Sequence, residues 1–373
     1  MKKITLCITH NCNLACKYCY IGKRNVRMSK TVAENIIDFI FENSLLDEEI
    51  DIGFFGGEPL LEFELIKTIT NMIENHAAYD QKRVKLSVVT NGTIFTYEMA
   101  DFLKLHRISF CISCDGPPEV HDVFRRYANG AGSSVIVEKN LKKAKAVLPI
   151  VLVNAVYHPQ TFQYLPDVIE YFSSLGLRDL YLNPDFSASW SKKDLEMLLE
   201  VYGRVGELYK DYYIQRNPHF ISLIDSKIAV ILRGGYQPFE LCQMGKREMA
   251  FSPEGNIYLC ERLIGYGIDS EHCVGNINDG IKGERIPCNN TNNQCLNDEC
   301  LLCSINNYCM NWCGCSNYFS TGHYNRVSPF LCASEKAAIQ VSFRIFQELE
   351  EKIGLVFMEH LAGAPIINSR LII

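Results

Sequence analysis

Seventeen cysteines lie very unevenly along this 373-residue chain: six precede Leu241 and eleven fall between Cys242 and Cys332. An odd number excludes a fully paired disulfide framework within one chain. The N-terminal MKKITLCITHNCN has two lysines but no apolar run long enough for a signal h-region. No stretch of about 18 apolar residues marks a membrane span. A cytoplasmic chain keeps its thiols reduced, and clustered thiols there point to metal. The uneven distribution divides the chain into a barrel-like region and a cysteine-rich region in which metal supplies much of the order. The hydrophobic fraction of 47% allows a sizeable core. A net charge of −6 gives no footprint for nucleic acid.

The first part of the chain alternates short apolar runs with helical patterns. Expected strands are Ile4–Thr9, Asp51–Phe55, Lys85–Thr90, Ile108–Ser113, Ile150–Val156 and Asp179–Asn183. Amphipathic stretches separate them at Ser29–Glu42, Glu62–His76, Tyr97–His106, Val135–Ala146 and Thr161–Leu175. In the first of these, Val32, Ile36, Ile37, Ile40 and Phe41 share one helical face. Such alternation predicts a parallel α/β sheet with right-handed crossovers. Six units fall short of the eight that close a barrel, so an open, partial (β/α)6 barrel is expected. A long helix over Ser191–Gln215 and another over Ala333–Ile353 follow the barrel pattern.

Strand one runs into Cys12-Asn-Leu-Ala-Cys16-Lys-Tyr-Cys19, three thiols within eight residues. A [4Fe–4S] cube normally takes four thiolates, so three leave one iron open to another ligand. A zinc site with a remote fourth ligand and a disulfide are the alternatives on spacing alone. Three further turns each follow an expected strand: Gly56-Gly57-Glu58-Pro59, Thr90-Asn91-Gly92-Thr93 and Ser113-Cys114-Asp115-Gly116. In a parallel barrel these turns open on one rim, where ligands bind. Glycines admit close backbone approach, and Glu58 offers an acceptor for an ammonium group.

These motifs resemble the radical S-adenosylmethionine superfamily. The C-x3-C-x2-C loop with Tyr18 before its third cysteine, the GGEP segment at Gly56–Pro59 and the SxDG segment at Ser113–Gly116 occur in the family's order. The resemblance implies that Cys12, Cys16 and Cys19 bind a [4Fe–4S] cluster. It further implies that Tyr18, Gly56, Gly57, Glu58, Asn91, Ser113 and Asp115 surround S-adenosylmethionine. The implied activity is one-electron cleavage of that cosubstrate to a 5′-deoxyadenosyl radical, which takes a hydrogen atom from a substrate.

The later cysteines read Cys242-x12-Gly255-x4-Cys260, then Cys300-x2-Cys303-x5-Cys309-x3-Cys313, then Cys332. This pattern is similar to the SPASM domain of radical enzymes that modify peptides. It implies two auxiliary [4Fe–4S] clusters, one on Cys300, Cys303, Cys309 and Cys332, the other on Cys242, Cys260 and Cys313. The latter set lacks a fourth ligand: residues 243–249 hold no cysteine, leaving Cys273, Cys288, Cys295, Cys315 or a substrate thiol. A pair of zinc sites is the alternative. Expected domains are a radical core with linker helix over 1–235, a SPASM domain over 236–356 and a tail over 357–373.

The resemblance implies a peptide or protein substrate. One reading is a maturase of ribosomally made peptides, forming thioether or carbon–carbon crosslinks in a precursor. The sequence Trp312-Cys313-Gly-Cys315-Ser-Asn317 favours it. No leader-recognition domain fits in the eleven residues before Cys12, so a separate recognition protein or the barrel rim is expected to bind the leader. The second reading is an anaerobic sulfatase-maturating enzyme, which makes formylglycine from Cys or Ser and places an acidic base directly after the second SPASM cysteine. Here that position is Glu261, which has an equal claim to a salt bridge with Arg262 or Lys246. A flavodoxin or ferredoxin is expected as electron donor, and oxygen sensitivity follows from the clusters. An iron–sulfur electron carrier or scaffold is the non-enzymatic reading.

Overall fold

The computed structural model describes residues 2–45, 47–238, 240–242, 244–245, 247–265, 270–283 and 298–363. Elements alternate from the start: β1 (Lys2–Thr9), α1 (Lys30–Glu42), β2 (Ile50–Gly56), α2 (Phe63–Asn75), β3 (Val84–Thr90), α3 (Tyr97–Leu105) and β4 (Ile108–Ser113). Next come α4 (Pro118–Phe124), α5 (Ser134–Val147), β5 (Leu152–Tyr157), α6 (Leu165–Ser174), β6 (Asp179–Pro184) and α7 (Lys192–Ile214). The chain continues through β7 (Phe220–Ile221), α8 (Ser222–Leu232), β8 (Glu248–Phe251), β9 (Asn256–Tyr258), β10 (Cys273–Asn276) and β11 (Gly280–Ile281). The last helices are α9 (Asp298–Leu301), α10 (Gly314–Thr321) and α11 (Pro329–Gly363).

The expected α/β architecture with a parallel sheet is present, and its strands follow the sequence closely. Where a boundary moves, local chemistry moves it. β5 begins at Leu152, not Ile150, because Pro149 holds Leu148 in extended backbone and Ile150 is exposed. α6 begins at Leu165, after a 3-10 turn, because Pro166 suits only a first helical turn. The side chain of Ser29 accepts from the Val32 amide and caps α1, whose buried face is Ala33, Ile36, Ile37, Ile40 and Phe41. No helix among the described residues is long and apolar enough to cross a membrane.

The chain divides into two compact units. The first comprises Met1–Cys114, His121–Val151 and Gln243–Asn289. Its strands run β11-β10-β9-β8-β1-β2-β3-β4 across the sheet. β1 to β4 are mutually parallel. β8 adds in parallel to the free edge of β1, with Lys3 opposite Glu248 and Thr5 opposite Ala250. β9, β10 and β11 then continue as an antiparallel meander. Along β1, Ile4, Leu6 and Ile8 alternate with Lys3, Thr5 and Cys7, so one face of the sheet is apolar and the other mixed.

The second unit comprises Asp115–Val120, Leu152–Cys242 and Asn290–Ile373. β5, β6 and β7 are parallel there. A capping box of Ser191 and Asp194 starts α7. α7 lies against α11 at Gly206, where a Cβ would come 2.7 Å from Val341 Cγ1 and 2.9 Å from Ile345 Cγ1. A side chain there would hold the two helices apart. α11 is longer than the expected Ala333–Ile353. Pro329 sets its start, and it continues past a break at Gly354 (φ 30°, ψ −102°).

Candidate active site

Chain order and sheet order together bring the GGEP and TNGT turns to the cysteine loop. Two edges brace that loop. On one, the Gly57 amide donates to the Thr9 carbonyl at 2.7 Å and the Glu58 amide to the Asn11 carbonyl at 2.8 Å. On the other, the Ala15 amide donates to the Arg126 carbonyl at 2.5 Å and the Lys17 amide to the Phe124 carbonyl at 3.1 Å. Tyr18 packs on Phe124 with ring centroids 5.5 Å apart, and the Arg125 guanidinium lies 5.3 Å from the centre of the Tyr18 ring. Arg125 is buried against the loop.

The glycine pair at Gly56 and Gly57 serves this bracing. A Cβ on Gly57 would sit 2.2 Å from the Asn11 carbonyl oxygen, and one on Gly56 (φ +151°) 2.3 Å from that of Thr9. Both collisions are with backbone, which cannot step aside as a side-chain tip can. Gly57→Ala is expected to cost about 1–3 kcal/mol through overpacking and to misplace the cysteine loop. Iron bound after anaerobic reconstitution, compared with a Gly283→Ala control whose new Cβ meets nothing within 4 Å, checks this.

The Glu58 carboxylate is held by the chain itself. Its side chain is fully buried, and its carboxylate accepts from the Leu60 amide (2.9 Å), the Thr90 hydroxyl (2.7 Å) and the Asn91 amide (2.7 Å). Three of about four acceptor sites are thus taken by the chain itself. Burial pushes its pKa up to about 7, against the pull of these hydrogen bonds. The side chain works as a bracket between the GGEP turn and the end of β3. The bracket fixes Asn91, whose Nδ2 donates to Asn13 Oδ1 at 2.9 Å and lies 3.7 Å from Cys12 Sγ. The Leu14 amide donates to the same sulfur at 3.4 Å. Asn91 is thus placed beside the first thiol.

Asp115 is held by the chain as well. It is buried, and its Oδ1 accepts from the Val156 amide at 2.9 Å, tying the SxDG turn to β5. Ser113 ends β4 and is half-buried.

The described cysteines are all free thiols. Around a tetrahedral zinc ion, sulfurs bound at about 2.3 Å lie about 3.8 Å apart. Among the described residues, the one set of three Cys, His, Asp or Glu ligand atoms mutually within 4.8 Å is Glu248, Cys260 and Glu261. Cys12, Cys16 and Cys19 do not form such a set. Cys300, Cys303, Cys309 and Cys332 lie near one another in the second unit: burial, then the charges of Cys332 and Cys303, push the Cys300 thiol up. Burial raises that of Cys309, with Cys300 a smaller contributor.

Of the other candidate ligands, Cys288 and Cys295 lie outside the described residues. Cys273 is buried in an apolar cluster with Cys7, Ile21, Ala250, Tyr258 and Ile264. Cys315 Sγ lies 3.6 Å from Cys313 Sγ.

Of the expected partners of Glu261, Lys246 lies outside the described residues; the ion pair seen among the described residues is with Lys3 at 3.6 Å. Its Oε2 lies 3.5 Å from the Thr5 hydroxyl and 3.8 Å from Cys260 Sγ. Burial would raise its pKa, but the charges of Lys3 and Arg262 outweigh that and hold the carboxyl below its ordinary value. Lys3 and Glu248, which complete this group, escaped the sequence reading. The signal was present in β1, where a lysine begins the polar side of an alternating strand.

The Radical SAM superfamily model matches residues 6–172. The radical SAM cyclopropyl synthase TigE of Paramaledivibacter caminithermalis is 24% identical, over 84% of this chain and 68% of that one. A cysteine-type anaerobic sulfatase-maturating enzyme of Clostridium novyi is 24% identical, over 79% of this chain and 82% of its own. The structure of native anSMEcpe with bound AdoMet and Cp18Cys peptide superposes with a TM-score of 0.75 at 20% identity, covering 94% of this chain and 99% of the other.

Proposed function

The chain carries a radical SAM domain over residues 6–172, and from that premise we propose that it is a radical S-adenosylmethionine enzyme acting on a peptide or protein side chain. The observation that carries the reading is the braced loop holding three free thiols, with Asn91 beside the first of them. The residues fit the implied [4Fe–4S] cluster: Cys12, Cys16 and Cys19 would hold it. When bound, the cluster and S-adenosylmethionine supply one-electron chemistry that removes a hydrogen atom from the substrate.

The chain's own residues do the rest. Glu58 fixes Asn91. The Asn91 and Leu14 donors beside Cys12 Sγ stabilise negative charge on that sulfur and so favour the reduced state. Tyr18 and Arg125 cover the loop on the Phe124 side. We assign one auxiliary cluster to Cys300, Cys303, Cys309 and Cys332 and another to Cys242, Cys260 and Cys313, within a SPASM domain over 236–356. We retain the radical core at 1–235.

A precursor peptide is the substrate we favour. The named relatives include a cyclopropyl synthase as well as sulfatase-maturating enzymes, so the fold is not tied to one product. A separate leader-binding protein and a flavodoxin or ferredoxin donor belong to the same reading. Formylglycine formation is the second reading, favoured by one observation: Lys3 keeps the Glu261 carboxylate charged next to Cys260. If Glu261 takes a substrate proton, Glu261→Gln lowers modified product by about 100-fold or more while 5′-deoxyadenosine release continues. An unchanged product rate leaves Glu261 only as the partner of Lys3.

The first experiment is 5′-deoxyadenosine release by anaerobically reconstituted protein given S-adenosylmethionine and a strong reductant. Release supports the enzyme. Its absence from protein with a full iron complement, even with candidate peptides present, supports the electron carrier instead.

A further inference from the structure

Charge is placed very unevenly along this chain. Residues 1–33 carry seven Lys and Arg and no Asp or Glu. Residues 34–373 carry 30 Lys and Arg against 43 Asp and Glu, a net charge of −13. Of the seven cations, Lys2 and Lys3 lie in β1 and face Glu48, Glu248 and Glu261. Arg24 pairs with Glu254 at 2.9 Å, and Lys30 opens α1. The other three, Lys17, Lys23 and Arg27, border the cysteine loop. Lys17 and Lys23 are exposed, and neither has an ion-pair partner among the described residues.

The backbone bonds that brace the loop also gather these cations. The Lys17 amide donates to the Phe124 carbonyl and the Ala15 amide to that of Arg126, so exposed Lys17 and Arg126 share one edge. The Arg126 guanidinium donates to the carbonyls of Asp122 and Gly130, which leave its charge uncancelled. On the other side, the His10 amide donates to the Val26 carbonyl at 2.9 Å and the Arg24 amide to the His10 carbonyl at 3.4 Å. This pairing folds Lys23 back toward the start of the loop. Burial pushes the Cys12 thiol up, and the Lys23 charge is among the smaller influences that pull it down, so the ammonium is felt at that sulfur. Arg27 is 74% exposed, with Glu62 3.6 Å away. Asn11, Ala15, Cys19 and Tyr20 are exposed too, so the loop itself is surface.

We infer that Lys17, Lys23, Arg27 and Arg126 form the docking face for an acidic one-electron donor protein of the flavodoxin or ferredoxin class; this rests on the reading of Cys12, Cys16 and Cys19 as cluster ligands. Electron-transfer partners meet over small faces, and complementary charge steers the encounter without an apolar groove. A cationic border on an otherwise acidic chain attracts an anionic protein here and repels it elsewhere. Lys17 is the covalent neighbour of Cys16, so a donor seated on it ends within one residue of a ligand thiol. The donor loses one electron and the cluster gains it; no bond is made or broken at this face.

The test measures the affinity of a strongly acidic flavodoxin for anaerobically reconstituted full-length protein at about 20 and about 200 mM salt. Stopped-flow reduction of the protein by the same flavodoxin, as its hydroquinone, accompanies it. Lys17→Glu with Lys23→Glu is expected to weaken binding about 10-fold or more at low salt, slow reduction by a similar factor and flatten the salt dependence. Lys17→Gln with Lys23→Gln, which only neutralises the charges, is expected to lose less. Lys104→Glu with Lys145→Glu makes the same change in net charge at the ends of α3 and α5, and is expected to stay within about 2-fold of the parent. Excess dithionite is expected to reduce all four proteins to the same extent. Equal losses in the two Glu pairs, or unchanged affinity and rate in the Lys17 and Lys23 pair, overturn the assignment. So does unchanged flavodoxin binding with lost affinity for a Glu-rich peptide, which gives the face to substrate. Parent protein that binds flavodoxin and takes its electron but releases no 5′-deoxyadenosine sinks the enzyme reading and leaves the docking face standing.

Discussion

Cys12→Ala protein, reconstituted with iron and sulfide, is expected to release no 5′-deoxyadenosine above background. The expectation is absolute because a three-thiol loop has no spare ligand. Cys16 and Cys19 alone would leave two irons without protein ligands. The substitution also strands the donors that face the sulfur, the Leu14 amide at 3.4 Å and Asn91 Nδ2 at 3.7 Å. Loss of about four irons should accompany loss of the product, with far-ultraviolet circular dichroism unchanged. Persistent product at the wild-type rate would remove the whole assignment. A milder companion, Asn91→Ala, should keep its iron and shift the potential of the remaining cluster.

The second large effect concerns the other unit. Glu335 of α11 and Lys227 of α8 are both buried and pair at 2.6 Å, and the Met310 amide donates to the same Glu335 oxygen at 2.6 Å. Burial works against the Lys227 charge, but the Glu335 carboxylate more than compensates and keeps the ammonium charged. Glu335→Ala leaves that ammonium without its carboxylate and orphans the amide next to Cys309. Breaking a buried pair in this way costs about 3–5 kcal/mol. The anaerobic thermal midpoint should fall by several degrees, and iron held by the Cys300–Cys332 set should fall with it. Lys227→Met combined with Glu335→Leu should recover much of the midpoint. A single variant within about 0.5 kcal/mol of the parent would show the pair to be incidental.

Much of the barrel was legible because each strand–helix unit carries its own pattern: Ile36, Ile37 and Ile40 announce the buried side of α1 before any partner is known. The three thiols and the GG pair were legible for a different reason, since their spacing is chemistry in itself. α8 was not, because Leu223, Ile224, Ile228, Ala229 and Val230 are all buried and a helix surrounded by protein shows little periodicity. The junction of β8 with β1 was not legible either. It joins residues some 245 positions apart (Lys3 and Glu248), and only the register reveals that they meet. The hydrogen bonds that Glu58 and Asp115 make to the chain itself were not legible, because motif position says where a carboxylate sits but not how deeply it is buried.

The backbone bonds of the cysteine loop to Gly57, Glu58, Phe124 and Arg126 carry a consequence for the life of the protein in a cell. Small metal domains fold only when the metal arrives, so for them losing the ion means losing the fold. Here the loop takes its shape from its neighbours. Oxidative stripping of the irons from Cys12, Cys16 and Cys19 would cost the protein that cofactor but not the shape of this loop. The emptied protein would be a template ready for repair rather than a substrate for proteolysis, and a brief exposure to air would be a pause in its working life.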